Sequence, residues 1–210
     1  MKMKKLSAFA LSLFTAASIL GGYGAYASDM GDLSGDGNSS SEDALMILQH
    51  TVGMIDLTDE QKAAADIDGN GSIDSNDALQ ILQYTVGLKK SLYEKFSGSH
   101  TGFFGDDRSP SYSNKNLNVT SFSVDFTEID GKNVTGIIYM SNSFMKNAAY
   151  DFSAVIENSV MTVNVNKLLN DTYKVVIDMN FYFDNNEIKG EILKATIAGE
   201  SYSFPTVYFD

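Results

Sequence analysis

The chain has 210 residues, a formal net charge of −12 at pH 7 and no cysteine. Because nucleic-acid partners are recognised through basic patches, this acidic balance argues against DNA or RNA binding. Without cysteine no disulfide bridge can form, so stability must come from packing and from ligands that bind the folded state.

Residues 1–27 have the features of a secretory signal peptide. They comprise a basic start (Lys2, Lys4 and Lys5), an apolar stretch at 6–20 and the A-x-A cleavage signature Ala25-Tyr26-Ala27. About 20 apolar residues are needed to span a bilayer, so this stretch is too short for an anchor, and no other segment could span a membrane. We therefore expect cleavage after Ala27 and a secreted, extracellular protein.

A 22-residue unit then occurs twice, at 32–53 and at 66–87, with 13 of its 22 positions identical. Such repetition indicates a fold in which one unit is used twice. Each copy opens with oxygen-bearing residues at loop positions 1, 3, 5, 7, 9 and 12 and a glycine at position 6. They are Asp32, Ser34, Asp36, Asn38, Ser40 and Asp43 in the first loop and Asp66, Asp68, Asn70, Ser72, Asp74 and Asp77 in the second. This is the EF-hand spacing, so we predict two bound Ca²⁺ ions.

Both loops depart from the common EF-hand pattern. Position 12 is aspartate instead of a bidentate glutamate, so the following helix must lie closer to the ion. The first loop also has Ser34 at position 3 and Ser39 at position 8, where the second copy has Ile73. With fewer anionic ligands and a looser loop, the first site is predicted to bind calcium more weakly.

A helix is predicted after each loop. Apolar residues recur at helical spacing in both copies: Ala44, Leu45, Ile47, Leu48 and Val52, then Ala78, Leu79, Ile81, Leu82 and Val86. Gly53 and Gly87 stand where a left-handed C-terminal cap is expected. Thr58 and Gln61 form a capping-box signature for a short helix through Ala65.

These loops and helices resemble a type I dockerin, the calcium-dependent module that attaches bacterial polysaccharide-degrading proteins to cohesin modules of a scaffold protein. The resemblance covers about residues 30–88. It rests on the doubled loop with aspartate at position 12, the absence of a helix before the first loop and the repeated DAL-x-ILQ-x-TVG segments. It implies cohesin contacts by one of two equivalent faces: Ser41, Glu42, Leu48 and Gln49, or Ser75, Asn76, Leu82 and Gln83. The two faces differ at loop position 11, which is Glu42 in the first copy and Asn76 in the second, so one orientation is expected to be preferred.

From residue 96 onward the apolar period changes from helical to alternating. Strands are predicted at 98–104, 119–129, 134–140, 149–157, 160–166, 173–183, 188–197 and 202–209, and the polar stretch 105–118 is predicted to be a loop. Pro205 places the last strand at an edge or a bulge. The sequence therefore predicts an α+β multidomain chain, with an all-α dockerin at 28–90 and an all-β antiparallel meander at 91–210. The meander closes into a barrel or folds as a sandwich, and its short turns favour an up-and-down, lipocalin-like barrel over a Greek key.

The function of the β domain stays open between three hypotheses. Carbohydrate binding has five candidate aromatics (Tyr112, Tyr139, Tyr150, Tyr182 and Tyr208), although the chain lacks tryptophan. A hydrolase would need paired carboxylates, and Asp125, Glu128, Asp151, Glu157, Asp178 and Glu191 show no distinctive spacing. The β domain has a single histidine, His100, which makes no triad, so no catalytic residue is assigned. The third hypothesis is a barrel that binds another protein or an apolar ligand.

The preferred interpretation is a secreted cellulosome-type component whose dockerin tethers a small non-catalytic β domain to a polysaccharide-degrading complex. The alternative is a dockerin-borne glycoside hydrolase or other polysaccharide-active enzyme.

Overall fold

The structure, a computed structural model, describes residues 29–114, 117–142, 146–169, 173–184 and 187–210. The predicted signal segment at 1–27 lies outside the described residues. The described chain forms a helical part followed by a β part, which confirms the predicted α+β class. None of the helices in these ranges has the length and apolar character needed to cross a membrane.

The helical part contains three helices, α1 (Ser41–Thr51), α2 (Asp59–Ala65) and α3 (Ser75–Thr85). Each begins with a capping box, in which the first side chain and the third residue of the helix satisfy each other's backbone N–H groups. Gly53 and Gly87 both have φ of +73°, so the predicted left-handed caps are confirmed. The helical spacing of the apolar residues buries one side of each helix, at Ala44 and Ile47 in α1 and at Ala78 and Ile81 in α3.

The β part follows a short 3-10 helix at Glu94–Phe96. Its strands are β1 (Gly98–Phe104), β2 (Tyr112–Asn114), β3 (Leu117–Asp130), β4 (Asn133–Asn142), β5 (Ala148–Glu157), β6 (Val160–Leu169), β7 (Tyr173–Asp184), β8 (Glu187–Ile197), β9 (Glu200–Tyr202) and β10 (Val207–Phe209). All pairings are antiparallel. Consecutive strands from β3 to β8 are neighbours, as predicted for a meander.

The sheet closes through β1, which pairs with β3 along its first half and with β10 along its second half. The closed path of eight strands is β1-β10-β8-β7-β6-β5-β4-β3, which selects the barrel over the sandwich. Two details of the predicted strands are wrong. The stretch 105–118 contains the short strand β2, and the predicted strand 202–209 is interrupted around Pro205, which cannot donate to a ladder.

Aromatic rings fill the barrel interior. Phe181 is fully buried and lies with its ring centroid 5.6 Å from those of Phe126 and Phe209 and 6.4 Å from that of Phe152. Two glycines make room for these rings, because a Cβ atom at Gly136 would lie 2.6 Å from the Phe152 ring and one at Gly190 would lie 2.9 Å from Phe209. This region of the barrel is a packed core, which disfavours the apolar-ligand hypothesis.

The helical part and the barrel meet at a polar junction built around Asp29. The Asp29 side chain is 7% exposed, and its Oδ2 lies 2.6 Å from Lys132 Nζ in the β3–β4 turn. Its Oδ1 accepts hydrogen bonds from the Tyr93 hydroxyl at 3.3 Å and from the Ser159 N–H at 3.1 Å. Lys132 Nζ also donates to the Gly37 carbonyl of the first loop at 3.1 Å. The barrel is therefore attached directly beside the first loop.

Backbone and ring contacts extend this junction. The Gly131 N–H donates to the Lys90 carbonyl at 2.9 Å, and the Ser91 hydroxyl donates to the Gly131 carbonyl. The rings of Tyr93 and Phe96 pack on Phe183, with centroids 5.8 and 5.1 Å apart. The two parts of the chain are thus packed together, in keeping with the absence of a long linker.

Replacement of Lys132 by methionine is expected to lower the free energy of unfolding by about 2 kcal/mol, because it leaves the buried Asp29 carboxylate without its cation. Losing one partner of a fully buried ion pair costs roughly 3–5 kcal/mol, and the expected value is smaller because Lys132 is partly exposed. Urea denaturation in calcium measures the change. The matched control is Lys167→Met, since Lys167 pairs with Asp151 at the surface. Equal stability of the two variants would contradict the role given to Lys132.

Candidate calcium loops and helical docking face

The second loop gathers three carboxylates. Oxygens of Asp66, Asp68 and Asp77 all lie within 4.8 Å of one another. Backbone groups orient them: Asp77 accepts from the Ile67 N–H at 2.9 Å and from the Asp74 N–H at 2.9 Å, and Asp66 Oδ2 accepts from the Gly71 N–H at 3.0 Å. The loop therefore holds its acidic side chains in an arrangement that one cation can bridge.

Two features of this cluster fit a hard cation. Asp66 Oδ1 is buried and has no hydrogen-bond partner among the described residues. Burial raises the pKa of the Asp77 carboxyl above its ordinary value, and the neighbouring Asp68 charge adds to this effect. A bound cation would give Asp66 Oδ1 a partner and would stabilise the charged form of Asp77. Calcium prefers oxygen ligands of this kind.

Lys95 is a neighbour of the second loop that the sequence reasoning missed. Its Nζ is buried without a hydrogen-bond partner in the described part of the chain and lies 5.2 Å from the Phe96 ring centroid. Burial lowers the pKa of the Lys95 ammonium, and the carboxylates of the second loop, Asp66 foremost, oppose the shift. Lys95 thus places a positive charge near the second loop, where it offsets part of the acidic cluster.

The first loop holds its two buried carboxylates in the corresponding places. Asp32 accepts from the backbone N–H groups of Gly35 at 2.8 Å and Gly37 at 2.9 Å. Asp43 accepts from those of Leu33 at 2.9 Å and Ser40 at 2.7 Å. Within the described residues, a three-carboxylate group as tight as that of the second loop is not found here. The second loop is therefore the more closely assembled of the two.

Ser39, at position 8 of the first loop, has a structural role that the sequence did not reveal. Its hydroxyl donates to the Met30 carbonyl at 2.9 Å, and the Met30 N–H donates to the Tyr93 hydroxyl at 3.0 Å. The loop is thereby linked through Met30 to the barrel side of the junction. The first loop is held at this position, so the predicted weakness of its site rests on its ligands.

The outer surfaces of α1 and α3 carry matching apolar side chains. Equivalent residues of the two copies are exposed to nearly the same extent: 52% for Leu45 and 49% for Leu79, 37% for both Leu48 and Leu82, and 70% for Val52 and 69% for Val86. The other predicted contact residues lie on the same helices. Ser41, Glu42, Ser75 and Asn76 are exposed, and Gln49 and Gln83 are half-buried. A large exposed apolar surface with a polar border is typical of a protein-docking site.

Paired EF-hand-type loops that lead into two exposed helices define a calcium-loop docking module. Residues 30–84 match the family model of the dockerin type I domain, so this part of the chain is a type I dockerin. Domains of this family bind calcium and attach their proteins to cohesin modules, as the resemblance in the sequence implied. No curated protein and no solved structure matches the chain.

The aromatic candidates of the barrel are not assembled into one open platform. Tyr150 is 2% exposed, and burial raises its pKa to about 12. Tyr182 and Tyr208 both lie opposite Lys189 in the sheet register. The Tyr208 ring is covered by the Arg108 guanidinium at 5.0 Å, and the Tyr182 hydroxyl donates to Glu191 at 2.9 Å. The Tyr112 hydroxyl donates to the Ser203 carbonyl, and Tyr139, at 37%, is the one exposed ring among these five.

The acidic candidates are distributed over the outside of the barrel. Asp125, Glu128, Asp151, Glu157, Asp178 and Glu191 are exposed or half-buried and lie on β3, β5, β7 and β8. Asp178 accepts a hydrogen bond from the Asn164 amide at 3.0 Å, and Asp151 pairs with Lys167. His100 hydrogen-bonds the Phe96 carbonyl through Nε2 at 2.8 Å. A structural role therefore accounts for the contacts of Asp178, Asp151 and His100.

Proposed function

We propose that this protein is a secreted, calcium-dependent cohesin-binding component that carries its barrel into a cellulosome-type, polysaccharide-degrading complex. The observation that carries the proposal is the pair of equally exposed apolar surfaces on α1 and α3, within a type I dockerin. Docking on a cohesin would cover one of these surfaces. Association driven by apolar burial is the usual use of such surfaces.

Two calcium ions complete the proposed module, one in each loop. Asp32, Ser34, Asp36, Asn38, Ser40 and Asp43 would hold the first ion, and Asp66, Asp68, Asn70, Ser72, Asp74 and Asp77 the second. The inward orientation of the Asp43 and Asp77 carboxylates by backbone N–H groups supports these ligand sets. Each position-12 aspartate belongs to the first turn of a docking helix, so calcium would stabilise the surface that meets the partner.

The proposed domain division is a signal peptide at 1–27, the dockerin at 28–90 and the barrel at 91–210. We assign the barrel a non-catalytic, cargo role, with binding of another protein or a carbohydrate as its task. The filled interior of the barrel, where aromatic rings pack against one another, favours this over the hydrolase alternative. The Arg108 guanidinium lies over the Tyr208 ring, which makes this ring less available for stacking on a sugar.

Calorimetric titration of the chain from residue 28 onward against a panel of cohesins tests the proposal. We expect tight binding in calcium and loss of binding in excess chelator, because calcium-free loops no longer hold the docking helices. Binding that persists in chelator, or the absence of binding to every cohesin in calcium, would contradict it. Parallel incubation with a polysaccharide panel tests the enzyme alternative, which requires activity that is lost on replacing one carboxylate.

A further inference from the structure

The outer surfaces of α1 and α3 together form the docking face, and one end of it adjoins the barrel. The start of α1 and the end of α3 border a common groove of about 660 Å³, which is lined by Ser39, Ser40 and Ser41 on one side and by Thr85 and Lys89 on the other. The two helices therefore lie antiparallel. Asp130, in the β3–β4 turn of the barrel, is also part of the groove wall. A partner that reaches Ser41 must enter beside this turn.

Hydrogen bonds and an ion pair fix the position of the β3–β4 turn. Gly131 bonds the Lys90 carbonyl just beyond α3, and Lys132 bonds both the Gly37 carbonyl and the Asp29 carboxylate. These contacts attach the turn to the first loop and to the segment after α3, which are the two elements at this end of the docking face. The barrel cannot move away from Ser41 without breaking them.

The opposite end of the docking face has different surroundings. Ser75 and Asn76 at the start of α3 are exposed, and Val52 and Met54 at the end of α1 are 70% and 71% exposed. A Cβ atom built on Gly53 would meet no other atom within 4 Å. Hydrogen bonds from the barrel part to the helical part fall on Asp29, Met30, Gly37 and Lys90. On the barrel side, Lys95 lies near the second loop at this end, but it leaves Ser75 and Asn76 exposed.

We propose that the barrel selects the orientation of the partner, so that a cohesin docks through Ser75, Asn76, Leu82 and Gln83 and not through Ser41, Glu42, Leu48 and Gln49. The inference rests on the proposed cohesin-binding function. A specific interface covers about 800 Å² per partner, which extends well beyond one helix end. Such a footprint centred on Ser41 meets the turn at 130–132, whereas one centred on Ser75 extends over open surface. The repeat offers two nearly equivalent faces, and the barrel leaves one accessible.

A matched pair of substitutions in the intact chain tests this inference. Ser41→Asp and Ser75→Asp each place a carboxylate at the first position of a docking helix, where aspartate is compatible with the helix dipole and is no calcium ligand. With a cohesin that binds the wild-type chain, we expect Ser75→Asp to weaken binding by roughly 100-fold, because a charge is buried unpaired in the interface. Ser41→Asp should change the affinity by less than about threefold, as surface substitutions do. Calcium titration of each variant alone checks that its loops are intact.

A further variant separates the barrel from the sequence difference between the faces. Glu42→Asn makes positions 10 and 11 identical in the two copies, and the loss caused by Ser75→Asp should persist in that background. Recovery of binding there would overturn the inference, as would a loss seen only when both serines are replaced or a larger loss from Ser41→Asp. If the wild-type chain binds no cohesin, the proposed function fails and this inference with it. If it binds and the two variants are equivalent, only the inference fails.

Discussion

Replacement of Asp77 by asparagine is expected to lower the calcium affinity of the second loop by at least about 30-fold, because the number of charged ligands sets the affinity of such a loop. Asp77 is fully buried, and its carboxylate accepts backbone hydrogen bonds from Ile67 and Asp74. Asparagine keeps the shape but removes an anionic oxygen, and its NH₂ group cannot accept these bonds. Binding of cohesin should fall with calcium binding, since Ser75 and Asn76 belong to the same helix turn.

Calorimetric calcium titration of the whole chain measures this effect, with Asp43→Asn as the matched control in the first loop. We expect the wild-type chain to fill the second site first, because its loop has four aspartates against three and a tighter carboxylate group. Asp77→Asn should therefore remove the tighter binding event, and Asp43→Asn the weaker one. Two equal events in the wild-type chain, or an unchanged titration of Asp77→Asn, would contradict the assignment.

Replacement of Phe181 by alanine is expected to lower the free energy of unfolding of the barrel by about 3–5 kcal/mol, the usual cost of removing a large buried ring. The ring is fully buried and contacts Phe126, Phe152 and Phe209, so its loss leaves a cavity that packed neighbours cannot fill. Since domains of this size are stable by only about 5–15 kcal/mol, this is a large share of the total.

Urea denaturation in saturating calcium provides the measurement. Leu193→Ala is the matched control, because Leu193 is 55% exposed on β8 and its truncation should cost less than about 0.5 kcal/mol. Calcium titration of the Phe181 variant should be unchanged if the loops fold without the barrel core. Similar midpoints for Phe181→Ala and Leu193→Ala would show that the interior does not support the barrel as described.

The sequence predicts those features that are encoded within short segments. Ligand spacing along one loop indicates a calcium site, since alternate side chains of a turn converge on one point. The apolar stripe of Leu45 and Leu48 and the cap at Gly53 predict α1, because each depends on residues three or four apart. Alternation of apolar and polar residues predicts β3–β8, because it depends on residues only two positions apart. The short turns between these strands predict that consecutive strands pair with each other.

The tertiary structure alone decided the features that join distant segments. Closure of the barrel depends on β1 meeting both β3 and β10, a pairing that no local pattern specifies. The Asp29–Lys132 pair joins residues 103 positions apart, and it places the barrel against the first loop. The role of Ser39 and the burial of Lys95 beside the second loop follow from the same packing. Spacing within the chain determines loops, helices and strands because those contacts are local, whereas the position of the barrel on the dockerin depends on contacts that form only when the whole chain has folded.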